Sequence, residues 1–100
     1  MPVLPVATLQ TYFTRHTAVQ KAYLFGSFAR GSATESSDVD ILLELKKPVT
    51  ISLLDIATMQ IELSEQLNRS VDILTSEGVS PHIKPFIDKE KVVIYERENG

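Results

Sequence analysis

One hundred residues, 43% of them hydrophobic and 23% charged at a mean hydropathy of +0.01, describe one globular domain over residues 1–100 with a core over about 7–96. Zero cysteines exclude disulfides, thiol catalysis and cysteine-type zinc sites and fit a reducing cytoplasm, while apolar runs such as Ile41-Leu42-Leu43 fall far short of the ~20 residues that span a bilayer. The net charge of −3 speaks against a direct nucleic-acid binder, and two histidines, His16 and His82, leave little scope for a histidine-rich metal site.

Met1-Pro2-Val3-Leu4-Pro5 carries two prolines and no basic residue. That does not suit a secretory leader, but it makes a natural entry to a helix over 7–18, where Leu9, Tyr12, Phe13 and His16 fall at helical spacing. Residues 21–26 (Lys-Ala-Tyr-Leu-Phe-Gly) read as a short strand stopped by Gly26. Residues 28–37, rich in serine and holding Gly31, read as a loop with one helical turn. Residues 38–45 (Asp-Val-Asp-Ile-Leu-Leu-Glu-Leu) form a buried strand whose first two acids share a face. A helix over 53–67 opens on a capping box between Ser52 and Asp55 and carries Leu53, Ile56, Ala57, Met59, Ile61, Leu63 and Leu67, a stripe broad for one face. A strand over 70–75 follows, then a short helix near Ser80–Asp88 in which Pro85 sits awkwardly. Val92-Val93-Ile94-Tyr95 ends the pattern as a strand or hook, with a frayed tail over 97–100. Alternating helices and strands give an α/β layer arrangement, expected as a small mixed β-sheet with its helices on one side.

Three acids stand where apolar residues are expected. Asp38 and Asp40, at i and i+2, project to one side of their strand, and Asp72 lies near the start of the next. A strand–helix–strand connection of this length makes the two strands parallel, and parallel neighbours run ~4.8 Å apart, so the three carboxylates gather at one edge. Such a cluster raises its own pKa values unless a cation sits among the oxygens, and Mg²⁺ or Mn²⁺ suits oxygen ligands. If the strand ending at Gly26 runs antiparallel to that of Asp38, Gly26 and Ser27 face the acids. Gly26 lets a ligand approach the backbone closely, and Ser27 offers a hydroxyl and an N–H to phosphate oxygens. Phosphate donors opposite a carboxylate-held metal are the machinery of phosphoryl or nucleotidyl transfer.

The stretch Gly26-Ser27-Phe28-Ala29-Arg30-Gly31-Ser32-Ala33-Thr34-Glu35-Ser36-Ser37-Asp38-Val39-Asp40 resembles the signature of the minimal nucleotidyltransferase (MNT) domain. That domain is part of the DNA polymerase β-like nucleotidyltransferase superfamily, whose pattern is Gly-Ser, ten residues, then Asp-x-Asp, as here. Asp72 falls where the family carries its third carboxylate, and the resemblance covers roughly residues 7–96. It implies the polymerase β-like core and transfer of AMP from ATP to a tyrosine of a HEPN-domain ribonuclease toxin, with the MNT protein as antitoxin. It also implies that Asp38 and Asp40 bind two Mg²⁺ ions, that Asp72 holds the catalytic one and helps activate the attacking hydroxyl, and that Gly26 and Ser27 grip the β- and γ-phosphates. Arg30 then either steadies the phosphates or pairs with Glu35 or an aspartate. Larger relatives add acceptor domains, so a partner protein is expected to complete this site.

The remaining residues have plainer readings. Ser36 and Ser37 are loop hydrogen bonders, His16 a boundary residue, His82 a loop residue, Glu44 a solvated strand end, and the lysines solvated charge. Two rival functions stand beside transfer to a protein: a non-catalytic antitoxin that works by occlusion, and a nucleotidyltransferase for a small molecule or RNA end.

Overall fold

The computed structural model describes residues 2–98. Helix α1 spans Val6–Arg15, and Pro5 stands just before it with its carbonyl accepting from the N–H groups of Thr8 and Leu9 at 3.1 and 3.3 Å. The helix ends three residues short of the expected 18 because Thr17 and Ala18 form a turn, closed by Val19 N–H donating to His16 O at 3.0 Å. That turn delivers strand β1, Val19–Phe25. One turn of helix, α2 (Ser27–Arg30), and a loop then lead to β2, Val39–Leu45.

Helix α3 spans Leu53–Leu67, and the capping box is present in both directions, Ser52 to Asp55 and back. Ile56, Met59 and Leu63 are its buried residues, at i, i+3 and i+7, with Leu67 packed partly against the core. The broad stripe resolves here: Leu53 and Ile61 are 83% and 61% exposed, since the helix turns only one face to the sheet. Asn68 ends α3 in the left-handed conformation at φ 51°, one of the few non-glycine residues suited to it. Strand β3 is Val71–Thr75, α4 is Lys84–Glu90 and β4 is Val92–Glu96. Pro85 is no obstacle in α4 because it occupies the first turn, where no intrahelical donor is needed, and residues 80–83 form a turn instead of the helix expected there.

The four strands lie in the order β3-β2-β1-β4, with β2 and β3 parallel and β1 antiparallel to both β2 and β4. Val19, Ala22, Leu24, Val39, Ile41, Leu43, Val71, Ile73 and Ile94 turn one face towards α1 and α3, where Leu9, Phe13, Met59 and Leu63 complete a single buried cluster. The other face carries Asp40, Asp72, Tyr23 and Glu44 by strand alternation. Because β3 and β4 are opposite edges, the chain between them crosses that second face and takes α4 with it. Lys91, just after α4, sets its ammonium 4.5 Å over the Tyr23 ring, and Ile87 and Leu42 are buried apart from the main cluster. The helices are therefore on both sides, not one.

The tail is also better anchored than a frayed end. Arg97 N–H donates to Gln20 O at 2.9 Å, and its guanidinium reaches the carbonyls of Val19, Phe13 and Thr14 at 3.2, 3.1 and 3.1 Å. Asn99 and Gly100, also placed in that tail, lie outside the described residues. The one-faced burial of α3 sets a clear expectation: Leu63→Ala costs about 2–5 kcal/mol, whereas Ile61→Ala costs under about 0.5, read as denaturation midpoints in urea.

Candidate active site

Two registers build the site. Phe25 pairs with Asp40 across the antiparallel pair, so the turn after β1 sits beside the start of β2. Asp40 pairs with Asp72 across the parallel pair, which places these two side chains next to each other on the face away from the core. Asp38 stands one residue before β2, exposed, on the Asp40 side by alternation. The structure thus brings all three predicted acids to one end of one face.

Their charges converge on Asp40. The Asp40 carboxyl is pushed up to about 6, first by burial and then by the negative charges of Asp72 and Asp38, with Arg30 pulling the other way. Among the described residues no three acidic or histidine side chains close round a common point. The donor set consists of carboxylate oxygens alone, which fits a hard divalent cation that would neutralise the crowding.

Gly26 belongs to the same unit. Its φ of +75° with ψ of −154° is backbone that only glycine adopts readily, and an added Cβ would collide with the Asp40 carboxylate, lying 3.1 Å from its Cγ. Ser27 follows, half-buried, as the first residue of α2, with its carbonyl accepting from Ser32 N–H at 2.9 Å. The partner of Arg30 is neither Glu35 nor an aspartate. Its Nη1 contacts both oxygens of Glu90, at 3.2 and 3.0 Å, and the Glu90 Oε2 also accepts from Gly26 N–H at 2.7 Å. Local pattern could not suggest that pairing, because Glu90 lies at the end of α4.

Arg69 is the second residue that sequence reasoning missed. Its Nη1 donates to the carbonyls of Thr34, Glu35 and Ser37 at 3.2, 2.9 and 2.8 Å, and its guanidinium lies 5.2 Å from the Phe28 ring centre. It pins the loop that presents Asp38. Glu35 joins it as a longer ion pair at 3.7 Å, so the acid that the resemblance offered to Arg30 is held by Arg69 instead. Ser37 is the expected loop hydrogen bonder, with its hydroxyl accepting from Thr34 N–H at 2.8 Å. His16 stacks on Tyr12 at 4.2 Å as a half-buried boundary residue. Glu44 is not a free strand end, since the Tyr23 hydroxyl donates to it at 2.9 Å. A cleft of about 830 Å³ lies farther along this face, bordered by Leu42, Glu44 and α4, and none of the three acids lines it.

The raised pKa of Asp40 has a stability consequence without divalent cations. Between pH 4 and 6 the folded chain keeps a proton that the unfolded chain, at 3.8, has lost, so stability falls as pH rises through that window. Asp40→Asn removes the penalty. The variant is expected to be more stable than the parent by about 1 kcal/mol at pH 7, after allowance for solvent screening, and equal to it near pH 4, measured by thermal melting in chelator.

Comparison with known proteins bears on the family and the fold. The family model described as polymerase beta, nucleotidyltransferase, matches residues 7–100. A Methanocaldococcus jannaschii protein named “Putative protein adenylyltransferase” is 42% identical over 74 residues, covering 74% of this chain and 77% of that one. Protein adenylyltransferase MntA of Thermococcus cleftensis is 28% identical, covering 94% of this chain and 100% of its own. Among solved structures, a “putative minimal nucleotidyltransferase” superposes with a TM-score of 0.67 at 31% identity, covering 92% of this chain and 98% of the other. A crystal structure of a toxin–antitoxin with AMP-PNP shares the fold at a TM-score of 0.80 and 20% identity, covering 95% of this chain and 76% of that one. On a family model that spans nearly the whole chain and a relative 42% identical to it, the chain belongs to the polymerase β nucleotidyltransferase family.

Proposed function

We propose that this chain is a Mg²⁺-dependent protein adenylyltransferase of the cytoplasm that moves AMP from ATP onto a tyrosine of a HEPN-type ribonuclease toxin, and so serves as its antitoxin. The observation that carries the reading is the register Asp40↔Asp72 with Gly26 seated against the Asp40 carboxylate. A fold neutral to function gains nothing from burying Asp40 beside two further acids that push its carboxyl towards the protonated form. The protein acceptor is supported by the relatives named protein adenylyltransferases. The toxin is supported by a structure of the same fold, from Shewanella oneidensis, described as a tri-AMPylated HEPN toxin in complex with MNT antitoxin. Zero cysteines and the lack, among the described residues, of any helix long and apolar enough to cross a membrane suit the cytoplasm.

On this reading Asp38 and Asp40 would hold two Mg²⁺ ions, with Asp72 sharing one of them, and the ions would supply charge neutralisation of the triphosphate. Gly26 and Ser27 hold the β- and γ-phosphates, and Arg30 adds positive charge beside them. The tyrosine oxygen forms a bond to the α-phosphorus, the bond from that phosphorus to the β-bridging oxygen breaks, and pyrophosphate leaves. The hydroxyl proton passes to the Asp72 carboxylate, whose exposure leaves it open to the acceptor.

Labelled ATP, Mg²⁺ and the toxin encoded beside this chain form the test. Label is expected on the toxin, and Asp38→Ala with Asp40→Ala is expected to cut it to below about one-hundredth. No label from the parent chain, under conditions where the two proteins bind, would remove the reading. Neutralisation of the toxin in cells by the double variant would favour occlusion instead.

A further inference from the structure

Glu90 is the last residue of α4, yet its carboxylate lies at the turn after β1, 64 residues earlier in the chain. There it receives the Gly26 N–H at 2.7 Å and Arg30 Nη1 at 3.0 and 3.2 Å. Its side chain is 22% exposed, so the contact is partly shielded. The donors it uses belong to the residues placed at the nucleotide's phosphates above. Both oxygens share a single guanidinium nitrogen instead of meeting the two-nitrogen fork of a strong Arg–carboxylate pair, so the clasp is one of the weaker arginine geometries. It is also opposed from the other side, since Glu90 adds its negative charge to those already acting on Asp40.

We propose that Glu90 is an internal competitor for the nucleotide, occupying the Gly26 and Arg30 donors in the free protein and yielding them when a triphosphate arrives. The proposal rests on the reading of Gly26, Ser27 and Arg30 as phosphate ligands. A triphosphate and a carboxylate cannot both take the same N–H and the same Nη1, and two anions side by side repel. Entry of the nucleotide therefore releases Glu90 and with it the C-terminal turn of α4, which Lys91 N–H closes onto Ile87 O at 2.8 Å. The exchange sets the nucleotide's apparent affinity below what the donors alone would give. A purely structural clamp makes the opposite prediction, because removing the Glu90 charge would loosen Arg30 and weaken binding.

Glu90→Gln separates the two. It keeps an oxygen for the Gly26 N–H and the shape of the side chain but lowers the charge. Calorimetric titration with AMP-PNP and Mg²⁺, on parent and variant of matched melting temperature, is expected to show about tenfold tighter binding by the variant. In the parent, saturation with the analogue is expected to speed hydrogen exchange at the Lys91 amide. If the parent binds and the variant binds no tighter, or if the Lys91 amide becomes more protected, the exchange is overturned while the phosphate site stands. If neither protein binds the analogue, the phosphate site itself falls and takes the exchange with it.

Discussion

Asp40 carries a charge that its surroundings oppose, and the backbone leaves it no escape. Burial, Asp72 and Asp38 all push its carboxyl towards the protonated form. Strand pairing fixes it on both sides, against Phe25 in one direction and Asp72 in the other, and any side chain at position 26 would run into its carboxylate. A one-residue slip of β2 would turn Asp40 into the apolar cluster and Ile41 out of it, so the registry that buries the core also holds the acids together. The unfavourable arrangement persists because the core over-determines it.

The two sheet faces divide the work. One is closed by α1 and α3 over a cluster that includes Phe13, Ile41, Leu43 and Leu63, each essentially inaccessible to solvent. That burial provides the stability from which a crowded polar face can draw. Two arginines then fix what the strands do not. Arg97 ties the end of β4 back to the start of β1 and the end of α1, and Arg69 gathers three carbonyls of the loop before Asp38. Satisfying a run of loop carbonyls with one planar, permanently charged group is a compact way to stiffen a segment that has no regular structure of its own.

Much of this was legible in the sequence, and the reasons are local. Apolar and aromatic runs located β1, β2 and β3, Ser52 and Asp55 set the start of α3, and the resemblance carried by Gly26-Ser27 and Asp38-Val39-Asp40 pointed to the turn and the acids together. The failures are equally physical. Apolar counting along α3 could not tell that Leu53 and Ile61 face outward, because tertiary packing, not composition, chooses the face. The position of α4 follows from β4 joining the sheet at the edge opposite β3, a fact of topology that no window of residues contains. Arg69 and Glu90 were missed for the same reason: each acts on a segment more than thirty residues away, and a lone charge in sequence carries no mark of its partner.

Arg30 and Arg69 show how the same side chain serves opposite ends at one site. Arg69 is 16% exposed, and its partners are backbone carbonyls that cannot leave, so the Asp38 loop is held whatever else binds. Arg30 is 55% exposed and its partner is a side chain on another helix, held through one nitrogen. The acid side of the site is therefore built into the sheet and its stapled loop, while the Gly26 side is closed by a contact that a stronger anion can displace. Rigid acids with an exchangeable counterpart across from them allow a highly charged substrate to enter without any rearrangement of the strands. On the reading proposed above, the movement needed is confined to the end of α4, and the registry that crowds Asp40 against Asp72 is kept throughout.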